Sequence, residues 1–370
     1  MIRIAVLTSS RADYGIYFPL LKKMNADSFF DVRLIAFGTH LSKKFGNTIE
    51  QVKSDGFKIE AQLNTISEGD SPEDIADSMA KTLSEFSALW KKSAKNFDWV
   101  LCLGDRYEMF AAVASTIPFN LKVAHLHGGE TTLGAIDNKF RHSITAMSSL
   151  HFVSHKMYAE RVKEITGSSE NIHTVGALGL DNLKEIPLFS VDEFKKKYGV
   201  DLSKPTVLVT FHPETVSWEN NVQHTEELLA ALGKLKEQIV ITMPNADTMG
   251  NHIRTQLKKF IKANPTRAFG FDSLGTQGYF SCMKHCSFLL GNTSSGIIEA
   301  ASFAKYVINT GDRQKGRLTG KNVIHVPVEN EKILAAVQKI SSLAPLDSSN
   351  IYGDGNAAEK IISIFKEISH

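Results

Sequence analysis

Cysteine is scarce in this chain: Cys102, Cys282 and Cys286 are the three among 370 residues. Cys282 and Cys286 make a C-x3-C pair with no second pair beside it. That leaves too few ligands for a structural zinc and too few thiols for a disulfide framework. They read as buried or incidental thiols. An excess of either charge is missing too. The 42 Lys and Arg stand against 40 Asp and Glu, a net charge of +2, and no basic tract stands out. Attraction to nucleic acid or to a membrane surface by bulk field is thereby excluded. Long apolar runs are absent as well: none spans a bilayer, and residues 2–8 are too short and too strand-like for a signal peptide. What remains is 42% hydrophobic and 22% charged, the composition of a soluble globular chain, expected in the cytoplasm. The length favours two domains.

What is present is a steady alternation of short apolar runs and helical periods. Strands are predicted over residues 4–7, 31–37, 58–63, 98–103, 122–126, 150–153 and 172–175, with helices near 19–24, 47–55 and 72–92. Pro19 suits the first turn of the first helix. Periodicity weakens between Gly176 and Pro205, then restarts with strands at 206–210, 238–243, 288–290, 306–309 and 322–326, a helix over 222–235, and an amphipathic helix over 357–368. This pattern predicts an α/β fold of two Rossmann-like, doubly wound domains facing each other across a cleft. The expected domains are 1–178 and 179–370, the terminal helix packing back on the first.

In such sheets ligands gather outside the carboxyl ends of the strands. The residues collected there are Arg11, His40, Asp105-Arg106, and His127 to Glu130. The most telling stretch runs from Phe288 to Arg317. An apolar strand breaks at Gly291, and Asn292-Thr293-Ser294-Ser295-Gly296 leads into an apolar-periodic helix containing Glu299. Free N–H groups, hydroxyls and the positive end of a helix dipole suit an anion there, and Arg313 after the next strand offers a guanidinium. Glu299 lies where a ribose attached to such phosphates would sit.

Other chemistry-bearing residues have two readings each. Asp105 beside Arg106 is either a self-satisfied pair or an acid/base group next to a phosphate-holding cation. His125 and His127, two apart on a strand, share a face; one packs while the other transfers a proton or binds a hydroxyl, and a metal lacks an obvious third ligand. Gly128-Gly129 lets the backbone approach a ligand. Asp137 and Arg141, with His142, fall near a helix start, where an i,i+4 pair is the simpler account. His212 before Pro213 is biased to an extended backbone that aims a ring outward. Asn245 and Asp247 are turn formers or ligand contacts.

Together these motifs resemble the hydrolysing UDP-N-acetylglucosamine 2-epimerases of sialic- and legionaminic-acid-type biosynthesis. The resemblance covers nearly the whole chain. It rests on Ser10-Arg11-Ala12-Asp13-Tyr14-Gly15, Gly104-Asp105-Arg106-Tyr107-Glu108, His125-Leu126-His127-Gly128-Gly129-Glu130, and Asp137 with Arg141-His142. In the second half it rests on Phe211-His212-Pro213-Glu214-Thr215, Asn245-Ala246-Asp247-Thr248, the 291–299 turn, and Gly311-Asp312-Arg313-Gln314-Lys315-Gly316-Arg317.

The resemblance implies a glycosyltransferase-B-like fold acting on a nucleotide-sugar without metal or cofactor. UDP is eliminated to give a 2-acetamidoglucal, and water adds to give a free N-acetylmannosamine-type sugar. It implies catalytic roles for Asp105, Asp137 and His212, and a nucleotide site at Arg11, Arg106, Thr293, Ser294, Ser295, Gly296, Glu299 and Arg313. Arg141, His142, Asn245 and Asp247 are expected to join the substrate site. It also implies a homodimer or homotetramer. Many relatives carry H-x-E-G-G-E, and here His127 replaces the first glutamate, as in a subgroup of the family. Either His127 or Glu130 takes over that acid/base role. Non-hydrolysing relatives carry H-x-E-A-G instead. The sugar is N-acetylglucosamine or a 2,4-diacetamido-trideoxy sugar on UDP or GDP. A glycosyltransferase of the same fold is the reading from another class.

Overall fold

The structure is a computed structural model and describes every residue except Glu68, Asp70, 245–248 and 369–370. It contains two compact units. The first comprises residues 1–130, 137–185 and 352–370, and the second 131–136 and 186–351. The division after Glu185 lies a little beyond the 178/179 boundary read from the sequence, and the last stretch of chain belongs to the first unit.

The first unit holds a seven-stranded sheet: β1 (Ile2–Thr8), β2 (Phe30–Ala36), β3 (Ile59–Gln62), β4 (Trp99–Leu103), β5 (Val123–Leu126), β6 (Leu150–Val153) and β7 (Ile172–Thr174). Their order is β3-β2-β1-β4-β5-β6-β7, and every pairing is parallel. The second unit holds β8 (Thr206–Thr210), β9 (Gln238–Thr242), β10 (Ala268–Phe271), β11 (Phe288–Gly291), β12 (Val307–Thr310) and β13 (Val323–Val326). Their order is β10-β9-β8-β11-β12-β13, again parallel. Helices cover both faces, so the central strands are buried almost throughout and read as largely apolar runs. Both sheets are doubly wound, and each reverses its winding between its two central strands, β1 and β4 or β8 and β11. A ligand crevice opens at that position in such a sheet.

Two local differences from the sequence reading have clear causes. The first helix is Arg11–Asn25, not a short segment opened by Pro19. Ser10 and Asp13 form a capping box that starts it early, and Pro19 lies inside. A proline there leaves the Gly15 carbonyl without its helical N–H. Asn182 Nδ2 supplies the missing donor at 2.8 Å. Strand β10 escaped the sequence reading because it is an edge strand, short and half-buried, with Gly270 inside it.

The terminal helix, Ala357–Glu367, is fixed in the first unit by Asp181. Its two carboxylate oxygens accept from the N–H groups of Ala357 at 3.0 Å and Ala358 at 2.7 Å. Phe365 and Ile361 enter the same apolar core as Ile4, Val6 and Leu20. Residues 131–136 belong to the second unit: Leu133 N donates to Lys315 O at 2.9 Å, and Ile136 N to Thr215 Oγ1 at 2.9 Å. Among the described residues no helix is long and apolar enough to cross a membrane.

Candidate active site

In the first unit the turn after β1 is built around Asp13. Its Oδ1 accepts from Thr8 Oγ1 at 2.7 Å and Ser10 N at 3.1 Å, and its Oδ2 from Ser9 N and Ser9 Oγ at 2.8 Å each. His40 stands behind, wholly buried, with Nε2 2.9 Å from Thr8 Oγ1 and Nδ1 2.8 Å from Thr48 Oγ1. Burial lowers its pKa, and the Asp13 carboxylate opposes that shift. His40 is therefore a support for the turn, which leaves Arg11 half-buried at the start of its helix.

At the tip of β4, Arg106 Nε donates to Glu108 Oε1 at 2.8 Å, and Glu108 is buried. Asp105 pairs with Arg141, whose side chain is almost wholly enclosed. Arg141 Nη1 also donates to the Glu130 carbonyl at 3.0 Å. The sequence suggested Arg141 as a substrate contact or the partner of Asp137. The geometry brings its guanidinium to Asp105 and to the loop after β5. His142 beside it is half-buried, its pKa lowered by burial and then by Arg141 and Arg161.

The two histidines of β5 and its exit differ sharply. His125 has both ring nitrogens occupied, Nε2 by Gly104 O at 2.8 Å and Nδ1 by Thr145 Oγ1 at 3.2 Å. Burial pushes its pKa down to about 3, so it is a neutral packing group. His127 lies past the strand end with φ 63°, so the alternation that would have put both rings on one face stops before it. Its Nδ1 is 2.7 Å from Glu130 Oε1, and Leu178 N donates to its Nε2 at 3.4 Å. Glu130 is 1% exposed, and the same Oε1 accepts from Ser154 Oγ at 2.7 Å. Gly128 and Gly129 serve packing within the unit. A Cβ at Gly128 would meet His125 Nδ1 and Thr145 Oγ1 at 3.0 Å, and Gly129, at φ 75°, presses on the Tyr158 carbonyl. Asp137 opens the helix Asp137–Met147 and is half-buried.

In the second unit the tips of β8, β11 and β12 converge. His212 follows β8 and is buried. Asn292 Oδ1 accepts from His212 N at 2.7 Å, and Asn292 Nδ2 donates to His212 O at 2.8 Å. The Asn292 carbonyl in turn accepts from Gln314 Nε2 at 2.9 Å and Arg313 Nη1 at 3.4 Å. Glu214 Oε1 accepts from Asp312 N at 2.7 Å, closing β8 against β12. Thr293 caps the helix Ser294–Ile298, which is shorter than the sequence suggested, and Glu299 is its buried C-cap. Gly296 packs on Val307, while Ser294 stays exposed and Ser295 half-buried. Asn245 and Asp247 lie outside the described residues.

Sequence reasoning gave no role to Asp13, Asn292, Ser154 or Tyr279. Asp13 had a signal in its spacing from Ser10. Tyr279 lines a small cavity with Thr210, Gly291 and Thr293, below the anion turn, with its hydroxyl 3.5 Å from Thr210 Oγ1.

Fold and site together define a two-domain α/β protein of glycosyltransferase-B-like type, with polar side chains at both switch points. The solved structure of UDP-GlcNAc 2-epimerase from Neisseria meningitidis bound to UDP-GlcNAc has this fold, with TM-score 0.82 at 15% identity over 99% of this chain and 100% of that one. The family model for UDP-N-acetylglucosamine 2-epimerase matches residues 22–366. The chain is 34% identical to a Legionella pneumophila UDP-N,N'-diacetylbacillosamine 2-epimerase (hydrolyzing), over 99% of this chain and 96% of that protein. It is 35% identical to the Campylobacter jejuni GDP/UDP-N,N'-diacetylbacillosamine 2-epimerase (hydrolyzing), over 87% and 83%. It is also 35% identical to the Escherichia coli polysialic acid biosynthesis protein P7, over 99% and 94%. The chain belongs to the UDP-N-acetylglucosamine 2-epimerase family.

Proposed function

We propose that this chain is a hydrolysing 2-epimerase that converts UDP-N-acetylglucosamine and water into free N-acetylmannosamine and UDP. The observation that carries this reading is the connected set Asp105–Arg141–Glu130–His127. It joins a carboxylate and an imidazole, the two kinds of group that move protons near neutral pH, through one buried guanidinium.

The reaction needs those groups in a definite order. The C2 proton has no adjacent carbonyl to acidify it, so cleavage of the C1–O bond runs ahead and the ring gains oxocarbenium character. The C1–O electron pair leaves with UDP, the C2–H pair becomes the C1=C2 bond, and a base takes the proton. Water then adds across the double bond, hydroxide at C1 and a proton at C2 on the opposite face. Asp105 and Asp137 stabilise the developing charge and share the proton transfers with the His127–Glu130 pair in this reading. His212, Arg313, Thr293, Ser294 and Arg11 hold the leaving diphosphate, with Glu299 on the ribose.

A second reading keeps the reaction and changes the sugar to a UDP- or GDP-linked 2,4-diacetamido-2,4,6-trideoxyglucose. The names of the Legionella and Campylobacter relatives favour it. A proton NMR time course in D2O decides both points. Free N-acetylmannosamine deuterated at C2, with UDP, supports the first reading. Turnover of a diacetamido sugar nucleotide with N-acetylglucosamine untouched replaces it with the second. Silence on all these substrates removes the epimerase assignment.

A further inference from the structure

The His127–Glu130 pair carries information that neither residue gives alone. A backbone N–H can only donate, so the Leu178 N–H at 3.4 Å from Nε2 requires a lone pair on that nitrogen. The ring proton of the neutral imidazole is then on Nδ1, directed at Glu130 Oε1, 2.7 Å away. Ser154 Oγ donates to that same oxygen at 2.7 Å, and Arg141 holds the Glu130 carbonyl at 3.0 Å. His127 itself sits at φ 63°, a backbone conformation uncommon outside glycine that the flanking contacts must maintain. Glu130 is 1% exposed and His127 8%, so the carboxylate lies behind the ring. The 3.4 Å contact to Nε2 is long for a hydrogen bond and holds that lone pair weakly.

Resting on the epimerase reading above, we propose that Glu130 is a positioning residue and His127 the proton acceptor. Glu130 fixes the imidazole as the Nδ1–H tautomer so that Nε2 receives the proton released from C2. As the C1–O bond breaks and UDP leaves, the C2–H electron pair forms the double bond and the proton moves to Nε2. The imidazolium so formed keeps Nδ1–H on Glu130, and the buried carboxylate balances its charge. The titratable and charged groups around the ring are Glu130, Arg141 across the loop, and His125, which stays neutral above about pH 3. The His127–Glu130 unit thus takes the place of the glutamate that many relatives carry at position 127.

The test is a double-mutant cycle read with the substrate that the NMR experiment identifies. Glu130→Gln keeps size and an acceptor oxygen but loses the charge. It is expected to lower kcat on the order of 100-fold, with KM and UDP affinity within about threefold and the acid limb of the kcat profile displaced. His127→Ala is expected to cost at least as much, and the double variant no more than His127→Ala alone. A Glu130→Gln effect that persists undiminished in the His127→Ala background overturns the proposal, as does full activity of Glu130→Gln. A second readout needs no turnover. Two-bond nitrogen–proton NMR of ring-labelled wild-type protein, with His127 assigned by its loss in His127→Ala, is expected to show the Nδ1–H tautomer. Finding Nε2–H overturns the proposal whether or not the protein is an epimerase.

Discussion

Asn292 holds the main chain of His212 from both sides, accepting from its N–H at 2.7 Å and donating to its carbonyl at 2.8 Å. The tip of β8 is thereby locked to the tip of β11 by one wholly buried side chain. Asn292→Asp exchanges the donor for an acceptor, leaving the His212 carbonyl facing a carboxylate oxygen. A buried, unsatisfied acceptor costs about 1–3 kcal/mol. The variant is expected to melt lower and to bind UDP at least tenfold more weakly, since His212, Arg313 and Thr293 lose their common anchor. Calorimetric titration with UDP checks this, and wild-type affinity in a folded variant contradicts the anchoring.

Much of this arrangement was legible in the sequence, for physical reasons. Strands buried on both faces leave short apolar runs, which is why β1, β8 and β11 are visible without any coordinates. Polar residues that follow such runs fall at carboxyl ends, where ligands bind, so Asp105, His127, His212 and Thr293 stood out. Long-range partners were invisible. Asn182 answers the carbonyl freed by Pro19 from far along the chain, Arg141 reaches Asp105 from the helix after β5, and Ser154 supports Glu130 from β6's exit. Periodicity says which face a side chain takes, but it fails where the backbone leaves the strand, as at His127.

Asp105→Asn and Asp137→Asn are expected to lower turnover more than 100-fold, within the range for loss of a general acid or base, while UDP affinity changes less than threefold. Arg141→Ala is expected to match Asp105→Asn in kcat, because it strands the Asp105 carboxylate and frees the Glu130 carbonyl. Steady-state kinetics beside UDP titration separate the two effects. A tenfold or smaller loss in either aspartate variant contradicts its catalytic role.

Stability is expected to fall on the acid side because two buried histidines resist protonation. Burial lowers His125 to about 3 and His151 to about 4, from 6.5. Their folded values lie below the unfolded one, so the unfolded state binds protons first as pH drops. The contribution of these two groups is constant above about pH 7. Below 6.5 it declines by about 1.4 kcal/mol per pH unit for each group, until each folded value is reached. Asp31, held low first by its hydrogen bond from Arg33 and then by Lys58, is shifted in the same direction, but its contribution is lost only as pH falls into the ordinary carboxylate range and below. The decline between pH 6.5 and 4.5 therefore belongs to the histidines. Urea midpoints measured across that interval test it, and a flat profile contradicts it.

Gly134 packs directly on Asp312 in the 131–136 segment. A Cβ there would run into the Asp312 carbonyl, and the Gly134 carbonyl accepts from Thr215 N at 3.3 Å. Ile136 N is fixed to Thr215 Oγ1 at 2.9 Å, and Asp137 follows directly. The loops bearing His212 and Arg313 thus hold the residues that lead into the Asp137 helix. Gly134→Ala is expected to lift the segment off Asp312, displacing Asp137 further than the β8 and β11 tips, which Asn292 keeps locked together. A misplacement of about 1 Å in a catalytic group costs on the order of 100-fold in rate. The variant should therefore lose turnover at least tenfold and keep UDP affinity within threefold. Equal losses in both would mean that the segment only shapes the nucleotide loops, and an unchanged rate would mean that Asp137 is placed by its own helix alone.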